Sequence, residues 1–353
     1  MATMLVTGGA GFIGSHAAEF FAQRGYDVTV LDNLSRGRLL KRDDPNARFN
    51  WDHLARQGRV TLVEGDVRDM EKVLPLVAEA DVVLHAAAQT AVTTSVVDPA
   101  TDFHSNALGT FNVLEAARRG GRKPAVVFCS TNKVYGENVN AIGVEAGERR
   151  YRFPERWSAG IPESFSIDHC EHTPYGCSKL TGDLYVQDFG RLYGLRTGVF
   201  RMSCIYGTRQ FGMEDQGWVA WFVIAALTGK PLTIFGDGKQ VRDVLWVEDL
   251  LRAYEAFLTS DLPSGVFNMG GGQEMTLSLL ELLELIKRET GIAPATRYAD
   301  WRPSDQKVYV SDIRRAQEVL GWQPQVSPAE GVRRLIAWTR EHRDRFTPPG
   351  GEA

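Results

Sequence analysis

LVTGGAGFIG, the sequence of residues 5–14, determines the fold of this 353-residue chain. It continues a short apolar stretch that predicts a buried strand, and it opens a helical pattern of apolar residues at spacings of three and four. Gly8, Gly11 and Gly14 fall at the turn between strand and helix, where a side chain would prevent close approach of the backbone to a pyrophosphate. The start of the helix adds unpaired N–H groups and a partial positive charge. This stretch therefore predicts a dinucleotide-binding turn.

The acidic residue after the second predicted strand bears on the kind of dinucleotide. That strand covers residues 27–31 and is followed by Asp32, eighteen residues beyond Gly14. A carboxylate there accepts hydrogen bonds from a ribose diol and repels a 2′-phosphate, which favours NAD over NADP. Arg36 and Arg38 follow closely and fit the opposite interpretation, in which they bind a 2′-phosphate. A glycine-rich turn without a ligand is disfavoured, because strand, glycines, helix and acid occur in this order.

Strand and helix patterns alternate through the rest of the first half of the chain. Strands are predicted at 60–64, 81–85 and 125–129, with helical patterns between them, most clearly at 106–118. Strands that alternate with helices form a parallel sheet covered on both faces, and ligands bind at the carboxyl ends of its strands. We therefore expect an α/β protein with a doubly wound parallel sheet of the Rossmann type.

Composition and charge exclude several classes of protein. A net charge of −4, with 24% charged residues, leaves no broad basic surface for nucleic acid. No apolar run approaches the roughly 18 residues of a membrane span, and the N-terminal apolar segment is too short for a signal peptide. Cys129, Cys170, Cys177 and Cys204 show no CxxC pair and no disulfide spacing, which predicts a cytoplasmic protein.

Residues 137–173 show no sustained periodicity and contain several prolines and glycines. A loop of this length inside a compact domain is usually functional. Because it directly precedes Tyr175, we expect a flap on the substrate side; a mobile surface insertion is the alternative.

Three potential zinc ligands, His169, Cys170 and His172, lie close together near the end of this segment. A zinc site requires further ligands held by a tight local fold, and the sequence offers no such partner set nearby. We therefore predict no metal site.

Tyr175 and Lys179 form the second chemical signal in the chain. Their spacing of four places both side chains on one face of a helix. A phenol titrates at about pH 10, and an ammonium beside it, together with the positive ring of an oxidised nicotinamide, lowers its pKa. A hydroxyl must also bond the reacting oxygen of the substrate. Thr131, at the end of the fifth predicted strand, is the first candidate and Ser130 the second.

These motifs resemble the extended short-chain dehydrogenase/reductase family. The resemblance rests on the glycine run, Asp32, the string NALGT at 106–110, the string VYG at 134–136 and the YxxxK pair. It implies NAD as cofactor, a Rossmann domain, a smaller α/β C-terminal domain that binds a nucleotide-sugar, and a homodimer or homotetramer formed through helices flanking the sheet. The implied domains are 1–200 plus about 243–263, and 201–242 plus 264–353. The implied catalytic residues are Thr131, Tyr175 and Lys179.

The expected cofactor contacts combine the glycine turn, the residues that follow the strands and the catalytic pair. They are Gly8, Gly11, Phe12, Ile13, Gly14, Asp32, Asn33, Ser35, Arg36, Asp66, Val67, Ala86, Ala87, Ala88, Gln89, Asn106, Ser130, Tyr175 and Lys179.

Two positions after Thr131 narrow the reaction within the family. The 4,6-dehydratases of the family carry an Asp-Glu pair there, which supplies the acid and base that remove water; this chain has Asn132 and Lys133. Segments 172–179, 209–211, 215–219, 238–245 and 304–310 resemble the family's epimerases of CDP-sugars. The resemblance implies transient oxidation of a CDP-hexose at carbon 2 and re-reduction from the other face. A UDP-sugar 4-epimerase and a non-catalytic dinucleotide sensor are the alternatives.

Candidate substrate contacts come from the same segments. Arg242 and Arg302 suit a diphosphate, because guanidinium groups bind phosphate at two points. Gln216 and Trp218 suit a pyrimidine, and Arg209 a phosphate or base. Each arginine could instead be a solvated charge or an ion-pair partner of a nearby aspartate such as Asp243 or Asp305. The full expected set is Gln89, Thr131, Asn132, Lys133, Ser203, Arg209, Gln216, Trp218, Arg242, Arg302 and Asp305.

Overall fold

The computed structural model of the protein describes residues 1–39, 45–302 and 305–346, without the side chains of residues 38 and 39. Within these ranges, no helix is both long enough and apolar enough to cross a bilayer. The strands are β1 (Thr3–Thr7), β2 (Asp27–Asp32), β3 (Val60–Glu64), β4 (Val82–His85), β5 (Ala125–Thr131), β6 (Glu145–Ala146), β7 (Tyr151–Arg152), β8 (Thr197–Met202), β9 (Cys204–Tyr206), β10 (Leu232–Phe235), β11 (Val241–Trp246), β12 (Ser264–Met269), β13 (Thr276–Ser278), β14 (Thr296–Ala299) and β15 (Val308–Tyr309).

The helices follow the strands in alternation through the first half of the chain. A π-helical turn at His104–Leu108 joins two of them, and 3₁₀ segments lie at Asn132–Ala141, Glu155–Trp157 and Arg343–Arg345. The α-helices are α1 (Phe12–Gln23), α2 (Arg36–Leu39), α3 (Phe49–Leu54), α4 (Met70–Ala78), α5 (Val92–Val97), α6 (Pro99–Phe103), α7 (Gly109–Arg119), α8 (Pro174–Tyr193), α9 (Trp218–Thr228), α10 (Val247–Thr259), α11 (Leu279–Thr290), α12 (Arg314–Leu320) and α13 (Pro328–Glu341).

The large sheet has seven parallel strands in the order β12-β8-β5-β4-β1-β2-β3. The order reverses between β1 and β4, which makes the sheet doubly wound and opens a crevice at that point. Helices α1, α3 and α10 cover one face through residues such as Phe21 and Phe257. Helices α4, α7 and α8 cover the other through residues such as Val113 and Phe189. The predicted Rossmann-type α/β fold is confirmed.

A smaller α/β unit lies beyond the large sheet. In it β11 pairs with β9, β13 and β15, and β10 pairs with β14. Helices α9, α11 and α13 pack around a core that contains Val223, Leu285 and Leu335. Residues 264–269, expected in the substrate domain, instead form β12 at the edge of the large sheet. They do so because Phe267 and Met269 bury their side chains in its core.

Residues 137–173 contain little regular structure, and they connect the two units. The Ile161 amide donates a hydrogen bond to the carbonyl of Val310 at 2.8 Å. Arg150 forms an ion pair with Glu281, with Nε donating to Oε1 at 2.6 Å. These contacts fasten the segment to the smaller unit.

A buried ion pair joins helix α8 to two neighbouring strands of the large sheet, β8 and β5. The guanidinium of Arg201 donates to both oxygens of Asp183, at 2.9 and 3.0 Å, and both side chains are almost fully buried. The Ser130 hydroxyl donates to the same carboxylate at 2.7 Å. Asp183 of α8 is therefore bonded to β8 and to β5 at once. Breaking a buried pair by removing one partner is costly, because the other charge stays buried without compensation.

The substitution Arg201→Met tests this anchor. We expect it to lower the free energy of unfolding by about 3–5 kcal/mol, because Asp183 loses its cation while its carboxylate stays buried. Chemical denaturation measures the change. Arg191→Met is the matched control, since Arg191 pairs with Asp188 at 3.8 Å on the exposed side of α8, and should change stability by less than about 0.5 kcal/mol. Equal effects of the two substitutions would contradict the role of the buried pair.

Candidate active site

A cavity opens along the carboxyl ends of β1, β2, β4 and β5, where the strand order reverses. All expected cofactor contacts except Asn106 lie in its wall. Of the expected substrate contacts, its wall contains Gln89, Thr131, Asn132, Lys133, Ser203, Gln216 and Trp218. The residues between 137 and 173 all lie outside the wall. The expected flap therefore does not cover the cavity in this structure, because its apolar side chains pack against the 3₁₀ segment after β5 and against β11 and β15 of the smaller unit.

The glycine turn brings the backbone to the cavity surface. Gly8 has a φ of +74°, and a Cβ there would lie 2.6 Å from the amide nitrogen of Ala87. A Cβ on Gly14 would clash with the carbonyl of Gly8. Helix α1 begins beyond Gly11, which provides no side-chain cap to the first amides of the helix. These open N–H groups at the cavity wall fit the pyrophosphate of a dinucleotide.

Asp32 is held in place at the end of β2. Its carboxylate accepts hydrogen bonds from the amides of Ala10 (2.9 Å) and Leu34 (2.8 Å). Burial raises its pKa, and these two hydrogen bonds oppose the rise. Arg36 also lies in the wall and donates to the carbonyl of Phe211 at 2.8 Å. The side chain of Arg38, the other candidate for a 2′-phosphate, lies outside the described part of the chain.

Tyr175 and Lys179 lie on successive turns at the start of α8. The helix begins at Pro174, and the hydroxyl of Thr173 caps it by accepting the Gly176 amide at 3.3 Å. Both side chains are buried and belong to the cavity wall. The ammonium of Lys179 lies 4.3 Å from the centre of the Phe128 ring. The helix therefore presents a phenol and an amine to the same space.

Burial dominates the protonation of this pair in the polypeptide alone. It raises the pKa of Tyr175 to about 12, with the Thr131 hydroxyl opposing the rise. It lowers the pKa of Lys179 to about 8. The lowering of the tyrosine pKa, expected from the neighbouring ammonium together with the ring of an oxidised nicotinamide, stays a prediction for the NAD-bound protein. Burial is the largest effect on the phenol, and it outweighs the opposing hydrogen bond with Thr131.

The structure distinguishes the two hydroxyl candidates at the end of β5. The Ser130 hydroxyl is engaged with Asp183 at 2.7 Å. The Thr131 hydroxyl lies 3.3 Å from Oδ1 of Asn132, at the cavity wall and beside Tyr175. Successive residues of a strand point to opposite faces, so only one of the two can face the substrate. The geometry favours Thr131.

Asn106, expected to contact the cofactor, lies behind the cavity wall. Its amide nitrogen donates to the carbonyl of Gln89 (3.0 Å), and its oxygen accepts the Gln89 amide (2.8 Å). It lies in the π-helical turn, a feature often found at functional sites. The neighbouring Ser105 enters the wall instead. Asn106 therefore supports the loop that forms the wall.

The substrate side is formed by the start of α9 and the end of β5. Gln216 contacts the hydroxyl of Thr90 across the cavity mouth. The indole nitrogen of Trp218 donates to the sulfur of Cys204 at 3.3 Å. Lys133 also lies in this part of the wall, and burial lowers its pKa.

Four expected substrate contacts lie outside the wall, and each has a partner within the protein. Arg209 is bonded to Glu19 at 2.8 Å. Arg242 and Asp305 pair with each other at 2.6 Å. Arg302 pairs with Asp215 at 2.9 Å, and its guanidinium lies over Phe235. Direct contacts from these residues therefore stay a prediction, and the ion-pair alternative holds for Arg242.

Several residues of the cavity wall were not among the predicted site residues. Gln210, Phe211 and Asp215 come from segments that the family resemblance singled out, so their positions carried a signal. Nothing in the sequence indicated that Cys204 and Ser105 line the cavity, since neither residue belongs to a motif.

The three potential zinc ligands do not form a metal centre with other side chains. The described residues contain no group of three or more His, Cys, Asp and Glu side chains placed to hold a metal ion. His172 directs Nε2 to the carbonyl of Val134 at 2.8 Å, and Nδ1 lies 3.8 Å from the sulfur of Cys170. These contacts hold the end of the irregular segment against the 3₁₀ segment after β5.

Sequence comparison agrees with the fold and the site. Residues 4–270 match the model of the NAD dependent epimerase/dehydratase family. The chain is 40% identical over 345 residues to the CDP-paratose 2-epimerase of Salmonella typhi, covering 95% of this chain and 98% of that protein.

Solved structures give the same result. UDP-glucose 4-epimerase of Thermotoga maritima with UDP-glucose matches with a TM-score of 0.80 and 32% identity, covering 97% of this chain and 99% of that one. The NAD complex of UDP-glucose 4-epimerase from Thermus thermophilus matches with a TM-score of 0.75 and 33% identity, covering 96% and 99%. The chain belongs to the NAD-dependent epimerase/dehydratase family. It is an NAD-dependent nucleotide-sugar epimerase, which confirms the resemblance drawn from the motifs.

The substitution Asp32→Asn tests the choice of cofactor. We expect NAD to bind about tenfold more weakly and the preference for NAD over NADP to fall at least about tenfold, because the repulsion of a 2′-phosphate is lost. Calorimetric titration with both dinucleotides measures the change. Asp27→Asn, at the other end of β2 and paired with Arg59 on the surface, is the control and should leave both affinities unchanged. A wild-type protein that binds NADP as tightly as NAD would contradict the assignment.

Proposed function

We propose that this epimerase inverts carbon 2 of a CDP-hexose, converting CDP-paratose to CDP-tyvelose or acting on a closely related CDP-sugar. The identity of 40% to the CDP-paratose 2-epimerase of Salmonella typhi, over nearly the full length of both chains, carries the proposal. The cavity supports it, because Asn132 and Lys133 lie in its wall beside Thr131. Neither side chain is a carboxyl, so the acid and base of a 4,6-dehydratase are missing from these positions.

The proposed mechanism assigns one role to each catalytic side chain. NAD, when bound, supplies the acceptor for hydride from the sugar carbon and the donor that returns it. Tyr175 as phenolate takes the proton of the 2-hydroxyl and gives it back after the ketone has turned over. Thr131 holds the reacting oxygen by a hydrogen bond. Lys179 binds the nicotinamide ribose, and its positive charge favours the phenolate of Tyr175.

The glycine turn and Asp32 are the residues that would hold the dinucleotide. The open amides of α1 fit its pyrophosphate, and Asp32 fits the hydroxyls of its adenosine ribose. On the other side, Gln216 and Trp218 would meet the pyrimidine of the substrate. Because Arg242 and Arg302 are paired with aspartates, we place Lys133 closest to the negatively charged part of the substrate.

A UDP-sugar 4-epimerase is the second candidate. It is favoured by the likeness to the Thermotoga maritima enzyme, whose structure contains UDP-glucose. The two candidates use the same triad and differ in the base that is bound and in the carbon that is inverted.

A panel of CDP-, UDP- and GDP-hexoses, incubated with the enzyme in deuterium oxide, tests the function. We expect inversion at carbon 2 of a CDP-hexose without solvent deuterium at that carbon, because the hydride returns from within the cavity. Nuclear magnetic resonance identifies the product and the label. Tyr175→Phe is the matched variant and should still bind NAD while losing turnover by about 100-fold or more.

Two results would change the proposal. Inversion at carbon 4 of a UDP-hexose, with CDP-hexoses unchanged, would replace it by the second candidate. Deuterium at the inverted carbon, or normal turnover by Tyr175→Phe, would exclude the hydride mechanism with Tyr175 as base.

We further propose a homodimer formed through α7 and α8. Their outer faces carry large exposed apolar side chains, with Phe111 and Tyr185 in edge-to-face contact between the helices and Leu192 72% exposed. Apolar patches on a soluble protein mark contact surfaces.

We also propose that the chain is divided into a Rossmann domain and a substrate domain, and that β12 belongs to the Rossmann domain. We propose a cytoplasmic location as well, which the four free cysteines support.

The double substitution Leu184→Glu with Leu192→Glu tests the proposed interface. We expect the dimer to dissociate, because two buried charges per subunit would face the partner. Sedimentation velocity measures the mass. Val319→Glu, at an exposed apolar residue of α12, is the control and should remain dimeric. A wild-type monomer, or a dimer that survives the double substitution, would contradict the interface.

A further inference from the structure

Asp102 lies in α6, behind the wall of the cavity, and only 1% of it is exposed. Its Oδ1 accepts hydrogen bonds from two amides, Nε2 of Gln89 at 3.0 Å and Nδ2 of Asn106 at 3.1 Å. Its Oδ2 is buried and accepts no hydrogen bond from the described residues. A buried carboxylate with an unpartnered oxygen is costly, so its presence calls for an explanation.

The carboxylate is connected to the catalytic helix. The same amide of Asn106 lies 3.0 Å from the hydroxyl of Ser178, which donates to the carbonyl of Tyr175 at 3.1 Å. Gln89, the other donor, belongs to the cavity wall. Asp102 thus supports the wall loop and the first turn of α8 together.

The titratable groups that face Asp102 belong to α8. They are Tyr175, Cys177 and Lys179. The adjoining helix α5 has no titratable side chain, and His104, the next on its own segment, is exposed. Burial raises the pKa of Asp102, and the Ser178 hydroxyl, the charge of Lys179 and the Gln89 amide oppose the rise. In return, the charge of Asp102 raises the pKa of Lys179 and that of Tyr175.

We propose that Asp102 is a positioning residue of the epimerase reaction, which through its negative charge and its amide bonds sets the protonation of Tyr175 and Lys179. It acts from behind the wall and does not touch the substrate. A negative charge favours the protonated form of every group near it. Asp102 therefore favours the ammonium form of Lys179. It also strengthens the bond between Tyr175 and the proton taken from the sugar hydroxyl, so that Tyr175 holds this proton until it is given back.

The proposal makes a directional prediction for the pH dependence. Activity requires Tyr175 as phenolate and Lys179 as ammonium, so the two limbs of the profile report the macroscopic pKa values of this coupled pair. Removal of the Asp102 charge lowers the pKa of both groups. Both limbs must therefore move to lower pH. A residue that only stabilises the fold would reduce activity and leave the limbs where they are.

Asp102→Asn is the test, because asparagine keeps the oxygen that accepts from Gln89 and Asn106 and replaces the unpartnered oxygen by an amide nitrogen. We expect both limbs of kcat/KM to shift to lower pH by about half a unit or more. Asp98→Asn is the matched control: Asp98 caps the same helix by accepting the Thr101 amide at 3.0 Å, and asparagine also caps helices. Its limbs should stay in place. Asp102→Glu, which keeps the charge, should return the limbs toward their wild-type positions.

A second measurement does not depend on the sugar. The ultraviolet difference spectrum of the phenolate, recorded on the NAD-bound enzyme and corrected with Tyr175→Phe, should show Tyr175 titrating at lower pH in Asp102→Asn. The inference rests on the proposed function, but the two can fail separately. If no nucleotide-sugar is turned over, the function is wrong, while the phenolate titration still decides about Asp102.

Three results would overturn the inference: unchanged limbs, limbs that move in opposite directions, or an equal shift in Asp98→Asn. Thermal unfolding establishes that each variant is folded, and we expect Asp102→Asn to unfold no earlier than wild type. If it does not fold, Asp102→Ser, which is also neutral, must shift both limbs the same way.

Discussion

The active site depends on one buried carboxylate, that of Asp183. Tyr175, Lys179 and Asp183 follow one another at spacings of four on α8, so they lie along the same side of the helix. Asp183 is bonded to Arg201 of β8 and to Ser130 of β5, next to Thr131. Through this carboxylate, the helix that carries the phenol and the amine is held in a set position against the strand that carries the hydroxyl. A proton transfer that requires close distances needs such an anchor, because a shift of one ångström costs rate steeply.

Burial prepares the catalytic pair for a charged cofactor. Without the nicotinamide, the wall raises the pKa of Tyr175 to about 12 and lowers that of Lys179 to about 8. Both changes disfavour charge, as expected for groups removed from water. A positive nicotinamide ring in the cavity would favour the phenolate of Tyr175.

The fold and the cofactor side followed from the sequence in detail. The third strand has the predicted bounds, Val60–Glu64, because its ends coincide with breaks in the apolar pattern. The glycine turn lies where it was expected, since only glycine fits beside the backbone of Ala87. Such features depend on residues close in the chain, or on a backbone that no other residue type permits. The substrate side was harder to predict from the sequence, as Arg242 and Arg302 show. A guanidinium binds a diphosphate and a carboxylate equally well, and only the folded chain shows which carboxylates lie within reach of each arginine.

By itself, the sequence determined that the chain forms a doubly wound sheet, has a glycine turn between its first strand and helix, and carries a tyrosine–lysine pair one helical turn apart. These features follow from the spacing of nearby residues and from positions where only glycine fits sterically. Only the tertiary structure decided that Thr131 rather than Ser130 is available to the substrate, that residues 137–173 are fastened away from the cavity, and that Asp102 lies behind Tyr175. Each of these depends on contacts between side chains that are far apart in the sequence, and the packing of the folded chain determines those contacts.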